Sequence, residues 1–313
     1  MSDSGPWVTL LACAVCLLPA VSAHAAASAP RARFILDTDI GDDIDDAYAL
    51  ALLASRPNIE LLGVTTTYGQ TRERAEIAAK LLSVMRRPEI PVFAGRRGAA
   101  EIRRQYDWAR GYKSRSLRAE DAVSFIRRQI ERYPGEVTLI CIGPLTNIGD
   151  LMSRYPQVRS KIARVVIMGG SILQGYGPTD PPAPEWNIRC DPAAARAVFQ
   201  SGVPLTMAGL EVTTGMRLDS ERQKRLFAVG TPTTNALAAL TNLWGGGVPV
   251  LYDVVAVAHA LGHSLCEGEP RCVRIDDDGM TRVVAGPSNV TLLLRPHEPA
   301  LMDWYIESMR PHV

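Results

Sequence analysis

FILDTDIGDDIDDAYALAL, residues 34–52, is the stretch on which the reading of this chain turns. Phe34, Ile35 and Leu36 read as the end of a buried strand. Asp45-Asp46-Ala47 opens a helix with apolar positions at Ala47, Leu50 and Ala51. Between strand and helix lie the carboxylates of Asp37, Asp39, Asp42, Asp43, Asp45 and Asp46. A strand-to-helix turn at the carboxyl end of an open α/β sheet is where such folds bind ligands. That many like charges on one short loop repel one another unless a cation sits among them. With oxygen ligands and neither Cys nor His, the set favours a hard ion, Ca²⁺ before Mg²⁺.

Blander readings compete with a metal site. An Asp-rich loop can be simply solvated, with Asp45 capping the helix. An EF-hand is excluded, because Gly41 falls one place early and no Glu closes the loop. A phosphatase of the haloacid-dehalogenase type also begins with an apolar strand and Asp-x-Asp, with Asp37 as nucleophile. It wants a small hydroxyl residue soon after, and Ile40-Gly41-Asp42 supplies none.

Outward from that stretch, the pattern alternates. Strands are expected at 31–36, 59–67, 90–93, 137–142, 164–168 and 205–208. Helices are expected at 45–54, 71–85, 119–133, 145–152, 191–200, 220–229 and 233–243. Strand–helix alternation with fully apolar strands predicts a doubly wound, mostly parallel, Rossmann-like open sheet flanked by helices. The chain has 313 residues, of which 47% are hydrophobic, so one large catalytic domain over 31–313 is expected. A net charge of +1 gives no electrostatic case for nucleic acid or an anionic membrane as partner.

Trp7 to Ala20 is apolar and is followed by small residues, which reads as a secretory signal within residues 1–25, cleaved after Ala23 or Ala25. Export to a periplasm or beyond is therefore expected, with no membrane span in the mature chain. The n-region carries Asp3 and no Lys or Arg, so an uncleaved anchor stays open. Beyond that segment lie Cys141, Cys190, Cys266 and Cys272. The last two flank Glu-Gly-Glu-Pro-Arg, a turn-like stretch across which they could bridge in an oxidising compartment.

DTDIGDDIDDAYAL resembles the N-terminal signature of the inosine-uridine-preferring nucleoside hydrolase family, in a variant with a longer Asp-rich motif. VTLICIGPLTNI (137–148), VIMGGS (166–171), EWNIRCDPAAA (185–195) and VLYDVVAVAHAL (250–261) are similar to further family motifs. The resemblance implies Ca²⁺ held by Asp39, Asp45, Asp46, Asp253 and the Ile142 carbonyl, and Ca²⁺-dependent cleavage of a ribonucleoside to ribose and free base. It implies Asp39 as general base on a water held by the ion, with Asp37, Asp42 and Asp43 behind the ligands or facing solvent. Glu185 and Asn187 would bind the ribose hydroxyls, Trp186 would wall the sugar, and Met168 would lie near it. Read without the resemblance, Trp186 and Met168 are core residues, and Asp191 and Asp253 are helix caps. Asp191 is expected to be a cap in either case.

Gln70, the segment 107–112 and Tyr252 stand where the family carries other residues, around the nucleobase, so the leaving base stays open. A small-molecule nucleoside is the expected partner, and a homo-oligomer is left open. A phosphatase using Asp37, or a nucleoside-binding relative without turnover, remains the alternative.

Overall fold

In the computed structural model the described residues are Met1, Ser2, Gly5, 31–102, 104–263 and 265–311. The apolar segment Trp7–Ala20 and both candidate cleavage positions lie outside them.

The chain from Arg31 onward forms one compact unit. It opens with β1 (Ala32–Thr38), α1 (Asp45–Ala54), β2 (Ile59–Thr66), α2 (Thr71–Val84), β3 (Val92–Ala94) and the two-residue β4 (Leu117–Arg118). Next come α3 (Ala122–Arg132), β5 (Val137–Cys141), α4 (Thr146–Arg154) and β6 (Arg164–Met168). They are followed by α5 (Trp186–Cys190), α6 (Pro192–Phe199), β7 (Leu205–Ala208), α7 (Leu210–Thr213), α8 (Ser220–Phe227), α9 (Pro232–Trp244) and α10 (Tyr252–Ala260). The chain ends with β8 (Glu267–Arg271), β9 (Val273–Ile275), β10 (Thr281–Val283), β11 (Val290–Leu294) and α11 (Glu298–Ser308). The expected strands and helices up to residue 243 all form, with ends moved by up to three residues.

The main sheet has the order β4-β3-β2-β1-β5-β6-β7-β11-β8. All its pairings are parallel except β11 with β8. The chain runs outward from β1 through β4 and then returns to place β5 against the other side of β1. The order therefore reverses between β1 and β5, and a crevice opens there beyond the strand ends. The period of two along each strand divides the core between the two faces. Leu36, Ile140 and Val166 pack with α1 and α10 on one face, while Ile35, Leu139 and Ile167 pack with α3 and α4 on the other. Every residue of α1 is buried, its two leading aspartates included.

The stretch between Cys266 and Cys272 is not a turn. It is the edge strand β8, paired antiparallel with β11 from Glu267 to Arg271, and both thiols are free. Six extended steps of about 3.3 Å hold the two Cα atoms roughly 20 Å apart, far outside disulfide reach. Glycine, proline and three charges made these residues look like a turn. The antiparallel edge position is what admits them.

Candidate active site

The acidic turn after β1 enters the crevice. Asp39, Asp45, Asp46 and Asp253 line one cavity of about 480 Å³ and are each no more than 5% exposed. Asp45 and Asp46 start α1, and Asp253 stands in the first turn of α10, which packs on α1. Carboxylate oxygens of Asp45, Asp46 and Asp253 lie within 4.8 Å of one another. Thr38 Oγ1 donates to Asp46, and the Asp253 amide donates to Asp45 Oδ2 at 3.3 Å. Burial first, and the neighbouring carboxylates second, push Asp45, Asp46 and Asp253 well above the usual carboxylate range. Burial raises Asp39 to about 7, against the pull of Arg74. Buried acids crowded in this way favour either shared protons or a cation. An all-oxygen donor set of this density fits a hard divalent ion.

Beside the acids, β5 ends at Cys141, and the Ile142 carbonyl accepts from Asn187 Nδ2 at 3.2 Å. Asn187 Nδ2 also donates to the Met168 carbonyl at 3.1 Å, so its Oδ1 is the atom left for a ligand hydroxyl. Gly143 is needed for steric reasons: a Cβ there would come within 2.7 Å of Asp39 Oδ1 and 2.8 Å of the Asp39 amide. Glu185 is buried and caps α5, accepting from the amides of Asn187 and Ile188 and, at 2.9 Å, from that of Gly170. Met168 lines the same cavity from the end of β6. Asp191 does cap α6, accepting from the Ala194 amide.

The walls are aromatic. Trp186 is a cavity residue and not a core one, at 37% exposure, and its ring meets Tyr68 edge-on with centroids 5.9 Å apart. Tyr252 meets Tyr176 edge-on at 6.3 Å, and Trp244 and the Ala100–Glu101 segment complete the rim. Burial, then Asp45 and Asp43, push the Tyr252 phenol up to about 12. Tyr68, Tyr176, Trp244 and Arg189 were not singled out from sequence, because lone residues in loops and at helix ends carry no periodic signal.

Two expectations and one alternative meet a different placement. Gln70 is not among the lining residues; its Oε1 accepts from the Ile102 amide and so ties down the loop that presents Ala100 and Glu101. Residues 107–112 do not surround the cavity either. Lys80 of α2 donates to the Trp108 carbonyl, and Glu76 accepts from the Gly111 amide and the Tyr106 hydroxyl, so this segment is spent covering α2. Asp37 is 1% exposed and lies outside the cavity lining, held by Thr65 and by Asn147 at 2.7 Å. The strand alternation that puts Leu36 on the α1 face turns Asp37 toward the other one, where it cannot serve as a phosphatase nucleophile.

Fold and cavity together define an α/β enzyme built around a buried carboxylate centre at the switch point of its sheet. The chain belongs to the inosine-uridine preferring nucleoside hydrolase family, whose profile matches residues 34–302. It is 33% identical over 309 residues to the pyrimidine-specific ribonucleoside hydrolase RihA of Shewanella oneidensis, covering 88% of this chain and 95% of the relative. The protein of the same name from Salmonella enteritidis is 31% identical over 269 residues, or 78% of this chain and 84% of the relative. A purine-preferring ribonucleoside hydrolase from Gardnerella vaginalis superposes with a TM-score of 0.77 at 25% identity, over 88% of this chain and 98% of the other. A plant nucleoside hydrolase, at 23% identity and a TM-score of 0.80 over 90% of this chain and 100% of the other, shares the fold. Ribonucleoside hydrolysis is the activity that family membership carries.

Proposed function

We propose that this enzyme is a Ca²⁺-dependent ribonucleoside hydrolase in which Asp39 is the general base. The observation that carries this reading is the buried trio Asp45, Asp46 and Asp253, with oxygens within 4.8 Å of one another. Asp39, Asp45, Asp46, Asp253 and the Ile142 carbonyl would hold the ion. Bound there, it would supply fixed positive charge to gather oxygen ligands and lower the pKa of a water.

The chain's own residues carry the remaining work. The Asn187 Oδ1 and the Glu185 carboxylate orient the sugar by accepting from its hydroxyls. Glu185 is held still for this by three backbone amides. Asp39 takes a proton from the attacking water as its oxygen bonds to C1′. The C1′–N bond breaks through an oxocarbenium-like sugar, its electron pair leaves with the base, the base nitrogen takes up a proton from water, and Asp39 returns its proton to solvent. Tyr68, Trp186, Tyr176 and Tyr252 line the cavity around that charge-separated state and would shield it from bulk water once substrate fills the space between them. Tyr252, with its phenol pushed up to about 12, stays protonated at neutral pH and acts as a hydrogen-bond donor to the leaving base.

Relatives named pyrimidine-specific make uridine and cytidine the first substrates to try. A reducing-sugar assay over purine and pyrimidine ribonucleosides, with chelator and then with added Ca²⁺, tests the reading. Ribose release that chelator stops and Ca²⁺ restores is expected. Turnover indifferent to chelator would refute the metal assignment. We further propose export, on the strength of the apolar segment Trp7–Ala20 and the small residues after it. N-terminal sequencing of the protein from its native host should find a start at His24 or Ala26, and a retained Met1 in a cytoplasmic fraction would refute this.

A further inference from the structure

Beneath the acidic turn lies Arg74, a guanidinium with no solvent exposure at all. It stands near the start of α2, and all its bonds reach back to the cavity. Nη1 donates to the Asp39 carbonyl and, at 3.2 Å, to the Ile40 carbonyl. Nη2 donates to Asp42 Oδ2 at 2.7 Å, and Nε to the Tyr68 carbonyl at 2.7 Å. Both segments so joined have backbone in the left-handed region, Gly41 at φ +118° and Tyr68 at φ +63°. For Tyr68, which carries a Cβ, that conformation costs on the order of 1 kcal/mol and persists only where its surroundings impose it.

We infer that Arg74 is a positioning residue: its planar fork locks the turn bearing Asp39 to the cavity wall at Tyr68 and sets a guanidinium cation against Asp42. A lysine cannot reproduce this, since an ammonium on a flexible stem does not span acceptors on two segments with fixed angles. The Asp42 partner makes burial of the charge tolerable, and the carbonyls of residues 39, 40 and 68 accept three more of the fork's N–H bonds. The consequence for turnover rests on the hydrolase reading above. The structural claim does not.

Full-length Arg74→Met and Arg74→Lys proteins test it. In amide hydrogen exchange of the metal-free proteins, peptides covering 38–44 and 66–71 should exchange at least about tenfold faster than in the parent in both variants. The strand 137–141 should keep its protection. Calcium affinity by calorimetry should fall at least about tenfold. At saturating calcium, kcat of Arg74→Lys should fall at least about tenfold even though its Tm stays within about 3 °C of the parent. A residue that mattered for stability alone would show kcat following Tm. Parental exchange at both peptides in a folded Arg74→Met protein overturns the inference. If that variant does not fold, parental exchange and kcat in Arg74→Lys overturn it equally. Should the parent hydrolyse no nucleoside, the functional reading fails, and the exchange measurement still judges Arg74.

Discussion

Stripping divalent ions from this protein should expose the electrostatic cost of its floor, and that cost should depend on pH in one direction. Asp45, Asp46 and Asp253 have oxygens within 4.8 Å of one another. At an effective dielectric of about 20, each ionised pair at that separation costs roughly 3–4 kcal/mol. The ion-free chain relieves this by binding protons, which is why burial and mutual repulsion hold these groups well above the ordinary carboxylate range. A carboxyl raised in the fold stabilises the fold fully below its unfolded pKa of about 4 and loses that contribution as pH rises through its folded value. For Asp39, raised to about 7, the loss between those limits is on the order of 4 kcal/mol.

Calcium should reverse the loss, so its stabilising effect must grow from pH 5 to pH 8. At about a hundredfold excess over Kd, an ion contributes about 2.7 kcal/mol, which is worth roughly 5–10 °C in Tm. Thermal melts with chelator and with calcium at the two pH values measure the difference. Asp37, also raised to about 7 by burial but outside the cavity, contributes equally to both arms and cancels. A calcium shift of equal size at both pH values, or none at pH 8, would refute the reasoning.

Four substitutions extend the test. Asp253→Asn should weaken calcium binding by at least about tenfold, read by calorimetry, because it removes one charge from the buried trio of carboxylates. Asp39→Asn should lower kcat by about 10²–10⁴-fold with substrate binding retained; near-parental turnover in a rate assay would mean another group takes the proton. Gly143→Ala should lower kcat by roughly 10²-fold, since its Cβ must displace Asp39 from a 2.7 Å approach. With the Tyr252 phenol pushed up to about 12, the parent's pH–rate profile should show no limb from this residue below about pH 10. Tyr252→His should introduce a limb near pH 6–7 if position 252 faces the leaving base, and an unchanged profile in an active His variant refutes that placement.

The floor of the site was readable from sequence because one continuous stretch carries Asp39, Asp45 and Asp46. The buried strand ahead of them told where in the sheet they end. Asp253 was different: a single Asp at a helix start also reads as a cap, and only the family motif placed it with the others. Arg74 stayed invisible because Arg-Glu-Arg at the start of a helix reads as a solvated face. Its burial depends on a turn more than 30 residues upstream folding back over it. The aromatic wall was hidden for a related reason, as Tyr68, Tyr176 and Trp244 come from three separate segments that meet only in the fold. After residue 261, β8 is rich in charge, glycine and proline, β9 and β10 have three residues each with an Arg at the centre, and β11, though apolar, is only five residues long, so neither period could establish itself.

The ends of the sheet bear on how copies of this enzyme meet in solution. At one end β4 offers only two residues. At the other, β8 presents Glu267, Glu269 and Arg271 tied into ion pairs with one another and with Arg295, and Pro270 has no amide proton to give. Neither border is a template on which a second sheet could grow. Crowding should therefore not lead this chain into strand-by-strand aggregation along the borders of its main sheet while the fold holds.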